Sequence, residues 1–270
     1  MNNFLVATDF SAEAGHALHL AQRIAQRTGA DLTLLHVAVP SGAGAPITAE
    51  NLAAAREKLH ALRQHTQAAA PGLSIKTIIE TGEPDECILA VADQLGASLL
   101  LLGTQAAGAF KRLGFSGRAE RLVRLSLCPV LTVKAIAPDY AVRRIIFAAD
   151  FTPETERAAF GLAYVLALYP DAVLHLLFVA APGKNRGDVQ ERISAFSRRH
   201  QLPRATAAVV EASSPALGIC RFAERTAADL VVLATRGRTG LGRLTHSSVA
   251  EQVAGRALPP VLTFPFAPLG

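Results

Sequence analysis

Short apolar runs alternate along the chain with longer stretches whose apolar residues recur every three or four positions. In the first half the runs are 4–8, 32–37, 75–79, 99–102 and 130–133. Between them lie helical patterns, such as 12–27, where Ala14, Ala17, Leu18, Ala21, Ile24 and Ala25 share one face. The runs 99–102 and 231–233 are apolar without alternation, which predicts central strands covered on both faces. Strand and helix in strict alternation predict right-handed crossovers and a doubly wound α/β sheet.

The pattern is written twice. NNFLVATD (2–9) returns as RRIIFAAD (143–150), and each copy continues with an aromatic and a hydroxyl residue. ETGEPDECILAVADQLGASLLLLGT (80–104) returns as EASSPALGICRFAERTAADLVVLAT (211–235), and SGRAERLVRLSLCPVLTV (116–133) as SSVAEQVAGRALPPVLTF (247–264). A duplicated unit implies two tandem domains, 1–137 and 141–270, each with five parallel strands and four helices. The shorter second copy predicts its deletion in the second helix and the loop leading into it. Thr48 is expected to cap that helix in the first half, and Thr152-Pro153 to start a helix in the second.

Composition adds little to this picture. Half of the 270 residues are apolar, enough for two cores, and no run approaches the ~20 residues that span a bilayer. Three scattered cysteines (Cys87, Cys128, Cys220) without a C-x-x-C pair argue for a reducing compartment and against zinc. The opening MNNFLVATDFS lacks the features of a signal peptide, so the expected location is cytoplasmic. The net charge of +5 is spread along the chain and there is no tryptophan to stack on bases, which speaks against nucleic acid.

In a doubly wound sheet a ligand sits outside the carboxyl ends of the strands, where the strand order reverses. The first strand of each copy delivers Asp9 or Asp150 there. The fourth delivers a loop that returns to a helix beginning at Ser116 or Ser247, and a helix N-terminus suits phosphate. Against this stands the plain alternative that both aspartates only satisfy backbone N–H groups at the next helix start. Val37 and Val179 end the second strands and read, as side chains, as core.

A strand ending in V-A-x-D, a later G-x2-G-x9-G-(S/T) loop, a helix of the type S-V-A-E-x-V and then P-V-L resemble the universal stress protein family, in two tandem copies over the whole chain. The resemblance implies an adenine-nucleotide alpha-hydrolase-like fold, often ATP-binding, whose last strands pair antiparallel within one chain as a pseudo-dimer. A further homodimer of such chains is compatible with it. It implies a nucleotide site in the second domain made by Ala149, Asp150, Val179, Ala234, Arg236, Gly237, Arg238, Ser247, Ser248 and Val249. A weaker set in the first domain comprises Asp9, Val37, Gly103, Ala106, Ser116 and Gly117. The motif transfers in part: Ala234 and Ser247 replace two glycines of the second copy, and the first lacks the middle two and the final hydroxyl. Arg236, Arg238 and Arg243 favour the second copy for phosphate. No phosphate-loop, nucleophile-elbow or metalloprotease signature is present, no metal is expected, and a regulatory ATP-binding protein is preferred over an enzyme, with slow ATPase left open. The alternative is a tandem scaffold with decayed sites.

Overall fold

In a computed structural model the described residues are 3–40, 46–105, 117–183, 187–235 and 248–265, without the side chains at 154, 157, 158 and 187. The chain divides into two compact units, one made of 1–105 with 125–135 and the other of 106–124 with 136–270.

The first unit holds strands β1 (Asn3–Ala7), β2 (Asp31–Ala38), β3 (Ile75–Thr81), β4 (Leu99–Gly103) and β5 (Val130–Val133). Their order is β3-β2-β1-β4-β5, all neighbours parallel. The order reverses at β1, as the alternation of strand and helix requires. Between strands run α1 (Ala12–Thr28), α2 (Ala49–Ala69) and α3 (Pro84–Gln94). Helix α1 buries all six predicted positions and Leu20 besides. Ser11 starts it by accepting the Ala14 N–H at 3.2 Å, and Gly29 ends it at φ 69°, an angle that favours glycine. Thr48 caps α2 in a reciprocal box with Asn51, as its sequence position suggested.

The second unit repeats the plan with β6 (Arg144–Ala148), β7 (Val173–Ala180), β8 (Thr206–Glu211), β9 (Leu230–Thr235) and β10 (Val261–Pro265), in the order β10-β9-β6-β7-β8, again parallel. Its helices are α5 (Ala159–Leu168), α6 (Gly187–Arg199), α7 (Pro215–Arg225) and α8 (Val249–Arg256). Helix α4 (Arg118–Leu125) groups almost wholly with this unit: the Glu120 carboxylate lies against Gly255 of α8, and Arg124 stands 3.9 Å from Glu251. Burial raises the Glu120 pKa, and the nearby charge of Glu251 adds to the rise while Arg256 opposes it. The central strands β4 and β9 are buried almost end to end, which is why they lack alternation. The deletion falls where the repeat placed it, since α6 has 13 residues where α2 has 21.

The start of the second unit departs from expectation. Thr152 precedes a helical turn, but its side chain caps nothing, and the turn is a 3-10 segment over Pro153–Ala158 that passes into α5. Two observations account for this. The Thr152 hydroxyl is taken by Asp150 at 2.9 Å, and the Thr155 N–H bonds the Thr152 carbonyl at 2.9 Å, the i to i+3 pattern of a tighter helix. The corresponding turn of α1 lies on Gly103 so closely that a Cβ there would stand 2.2 Å from the Ala14 nitrogen. At the matching place in the second copy Ala234 carries that Cβ, and it is the 3-10 turn that borders β9.

Candidate functional site

Both units place an aspartate just beyond the first strand, in the same strained turn. Between Asp9 and Ser11, Phe10 has φ 64°, and between Asp150 and Thr152, Phe151 has φ 52°. A bulky residue in the left-handed region carries about 1–3 kcal/mol of strain, so the surroundings must hold it there. Asp9 does so by accepting the Ser11 N–H at 3.0 Å and the Ser11 hydroxyl. Asp150 accepts the Thr152 N–H at 3.2 Å and the hydroxyls of Thr152 and Thr155, the latter at 2.6 Å. Burial pushes the Asp150 pKa up, but the hydroxyls of Thr155 and Thr152 and the Thr152 N–H outweigh it and hold the carboxyl below its ordinary range. The aromatic ring finishes each turn. Phe151 is buried edge-on to Phe147 and Phe196 at 6.2 and 5.4 Å, whereas Phe10 lies 4.5 Å from the ring of His36 with Lys58 above it at 5.8 Å.

In the second unit the other predicted positions gather at the same edge of the sheet. Ala149 extends the β6 ladder by donating to the Leu177 carbonyl at 3.1 Å. Val179, near the end of β7, packs its side chain on α7: a Cβ on Gly218 would stand 2.5 Å from its Cγ1. Ala234 and Thr235 close β9, and the Thr235 hydroxyl donates to the Phe264 carbonyl at 3.3 Å. Ser248 caps α8, and Val249 is its exposed first residue. That cap is already a closed box, in which the Ser248 hydroxyl accepts the Glu251 N–H at 3.2 Å and the buried Glu251 carboxylate accepts the Ser248 N–H at 3.1 Å. The helix start expected to offer free donors is thus partly satisfied by the chain itself, with a carboxylate beside it. Arg236, Gly237, Arg238, Arg243 and Ser247 lie outside the described residues.

One residue at this edge was not anticipated. Arg192 of α6 donates to the Asp150 carbonyl at 3.1 Å and lies over the Phe178 ring. Its only sequence signal is its place beside the core spacing of Val189, Ile193 and Phe196, too weak to mark it without the fold.

In the first unit, Asp9 is exposed and Val37 half-buried opposite Glu80. His36 bonds the Thr8 carbonyl through Nδ1 at 2.8 Å; a carbonyl only accepts, so Nδ1 carries the proton. Gly103 owes its lack of a Cβ to α1, and Gly117 has open space where a Cβ would stand. The Thr104 hydroxyl is buried without a partner among the described residues. Ala106 and Ser116 lie outside them. Among the described residues no group of three His, Cys, Asp or Glu could hold a metal, and no helix is long and apolar enough to cross a membrane.

Comparison with known proteins agrees with this architecture. The model of the universal stress protein family matches residues 1–134 and again 141–265. The chain is 30% identical over 150 residues to the universal stress protein YxiE of Bacillus subtilis, an alignment covering 49% of this chain and 99% of that protein. It is 31% identical over 132 residues to a universal stress protein of Thermus aquaticus, covering 48% and 96%. Among solved structures, a universal stress protein from Archaeoglobus fulgidus superposes with a TM-score of 0.77 over 98% of this chain and 99% of that one, at 20% identity, a likeness of fold. The duplicated sheet, the repeated aspartate turn and both matches of the family model make this chain a member of the universal stress protein family, with the domain present in tandem.

Proposed function

We propose that this chain is a cytoplasmic stress-response protein that binds ATP or a related adenine nucleotide in its second domain (141–270), in a regulatory role. The observation that carries the reading is the position of Ser248. It heads α8 directly after the segment that leaves β9, at the edge where Asp150 follows β6 and Ala234 lies near the end of β9. Helix dipole and backbone donors at such a point favour phosphate, and the intervening segment contains Arg236, Gly237 and Arg238. A regulatory role is preferred because the Asp150 carboxylate is spent on Thr152 and Thr155 and is not free to act as a base. Titration calorimetry with ATP on the purified chain, beside Gly237→Glu, tests the reading. Binding by the wild type and loss in the variant are expected; a wild type silent at millimolar ATP overturns it.

A scaffold without nucleotide is the second reading, favoured by the closed cap of α8. The Glu251 carboxylate occupies the place where an anion would be drawn and repels one. A nucleotide carried through purification and seen by native mass spectrometry would end this alternative.

A further inference from the structure

Arg192 comes from α6, 42 residues from Asp150 in sequence, yet it ends at the same edge of the sheet. Asp150 follows β6 and Phe178 lies near the end of β7, its parallel neighbour, so an arginine that bonds the Asp150 carbonyl and covers Phe178 at 5.6 Å spans both strand ends. A guanidinium has five N–H donors. Nη1 is used on that carbonyl, while Nε is buried and has no hydrogen-bond partner among the described residues. The side chain as a whole is half-buried, but a buried donor without an acceptor is unfavourable in a fold unless a partner arrives to meet it.

Its place along the strand order says which part of a ligand it meets. β6 lies between β7 and β9, and α8 follows β9. The phosphate-favouring helix start is therefore on the β9 side of β6, whereas Arg192 bonds the chain just beyond β6 and reaches over β7, one to two strand spacings or ~5–10 Å away. Resting on the nucleotide reading above, we propose that Arg192 is a ligand-contacting residue of the second unit, whose donors meet acceptors of the nucleoside (ring nitrogens or ribose oxygens) rather than the phosphates. The first unit lacks the arrangement. There the second strand carries His36, which is turned to Thr8, and Lys58 lies over Phe10 instead. The same contrast singles out the second unit without reference to the glycine motif.

Calorimetric titration of the full chain with adenosine, AMP and ATP tests this for the wild type, Arg192→Met and Arg192→Lys, with thermal melts alongside. Loss of a charge-assisted hydrogen bond predicts that Arg192→Met weakens all three ligands by the same factor, about 10-fold or more. Lysine, a point charge without the planar fork, should recover only part of it. A loss that grows from adenosine to ATP would make Arg192 a phosphate ligand and overturn the proposal, as would unchanged affinities. A role confined to bracing the Asp150 turn would lower the melting temperature and leave the three affinities alone, which also overturns it. If Arg192→Met does not fold, Arg192→Lys carries the comparison. A wild type that binds none of the three removes the nucleotide reading and this inference with it, whereas a binding wild type with indifferent variants removes only the inference.

Discussion

Replacement of Gly103 by alanine separates a structural glycine from a ligand-binding one. The added Cβ would stand 2.2 Å from the Ala14 nitrogen, 2.3 Å from the Glu13 carbonyl carbon and 2.6 Å from the Ala14 Cα, where ordinary contact begins at 3.4 Å. All three obstacles are backbone in the first turn of α1, so no side chain can swing aside; the helix must retreat by roughly 1 Å. Overpacking of this kind costs about 1–3 kcal/mol, and a backbone obstacle argues for the upper end. A loss of about 3 kcal/mol in a unit of this size should lower its melting temperature by roughly 10 °C. Urea unfolding and calorimetry read both quantities. The reciprocal change Ala234→Gly is the control, for the second copy already houses a Cβ, and only the entropic penalty of glycine, about 0.5–1 kcal/mol, is expected. Gly103→Ala within ~0.5 kcal/mol of the wild type would refute the reasoning and return Gly103 to the list of ligand contacts.

Other variants probe the same edge of the sheet. Gly218→Ala should destabilise the second unit by about 1–2 kcal/mol, less than Gly103→Ala because its nearest obstacles are the side chains of Val179 at 2.5 Å and Ala212 at 3.1 Å rather than helix backbone; equal losses would contradict the distinction. Ser248→Ala removes the acceptor of the α8 cap and should cost about 1 kcal/mol in urea unfolding whether or not ligand binds. Glu251→Gln keeps the geometry of the cap but removes its charge, so nucleotide affinity should rise by a few fold, and a fall would count against an anion at α8. Because the Asp150 pKa is lowered on folding, its stabilisation is present above the unfolded value of about 3.9 and is lost as pH falls through the lower folded value. The stability gap between wild type and Asp150→Asn should therefore close on acidification, and a gap constant with pH would disprove the shift.

The two copies share a scaffold and differ at the edge beyond the strand ends. Both retain the aspartate turn with a left-handed phenylalanine, which suggests that the turn serves the fold in each. What surrounds it differs: Phe10 meets His36 and Lys58, while Phe151 sinks into a cluster with Phe147 and Phe196, leaving Arg192 over Phe178. Duplication thus preserved the hydrogen bonds that bend the chain and left the chemistry at the bend to diverge.

Much of the fold was legible in the sequence, because periodicity, caps and repeats are local properties. The buried face of α1, the cap at Thr48, the uniformly apolar β4 and β9 and the shortened second helix all follow from residues within a few turns of one another. The site was legible only in outline. Which residues would gather beyond the strand ends followed from the alternation, but the duties of single residues there did not. Thr152 read as a cap and serves Asp150; Gly103 read as a phosphate-loop glycine and makes room for α1; Ser248 read as a helix cap that a phosphate could share, and it is a cap, one that Glu251 closes. Arg192 gave almost no signal at all. Each of these outcomes depends on a partner brought close by the sheet, and a chain written in one dimension specifies spacing along itself but not the distance between a side chain on α6 and a carbonyl beyond β6.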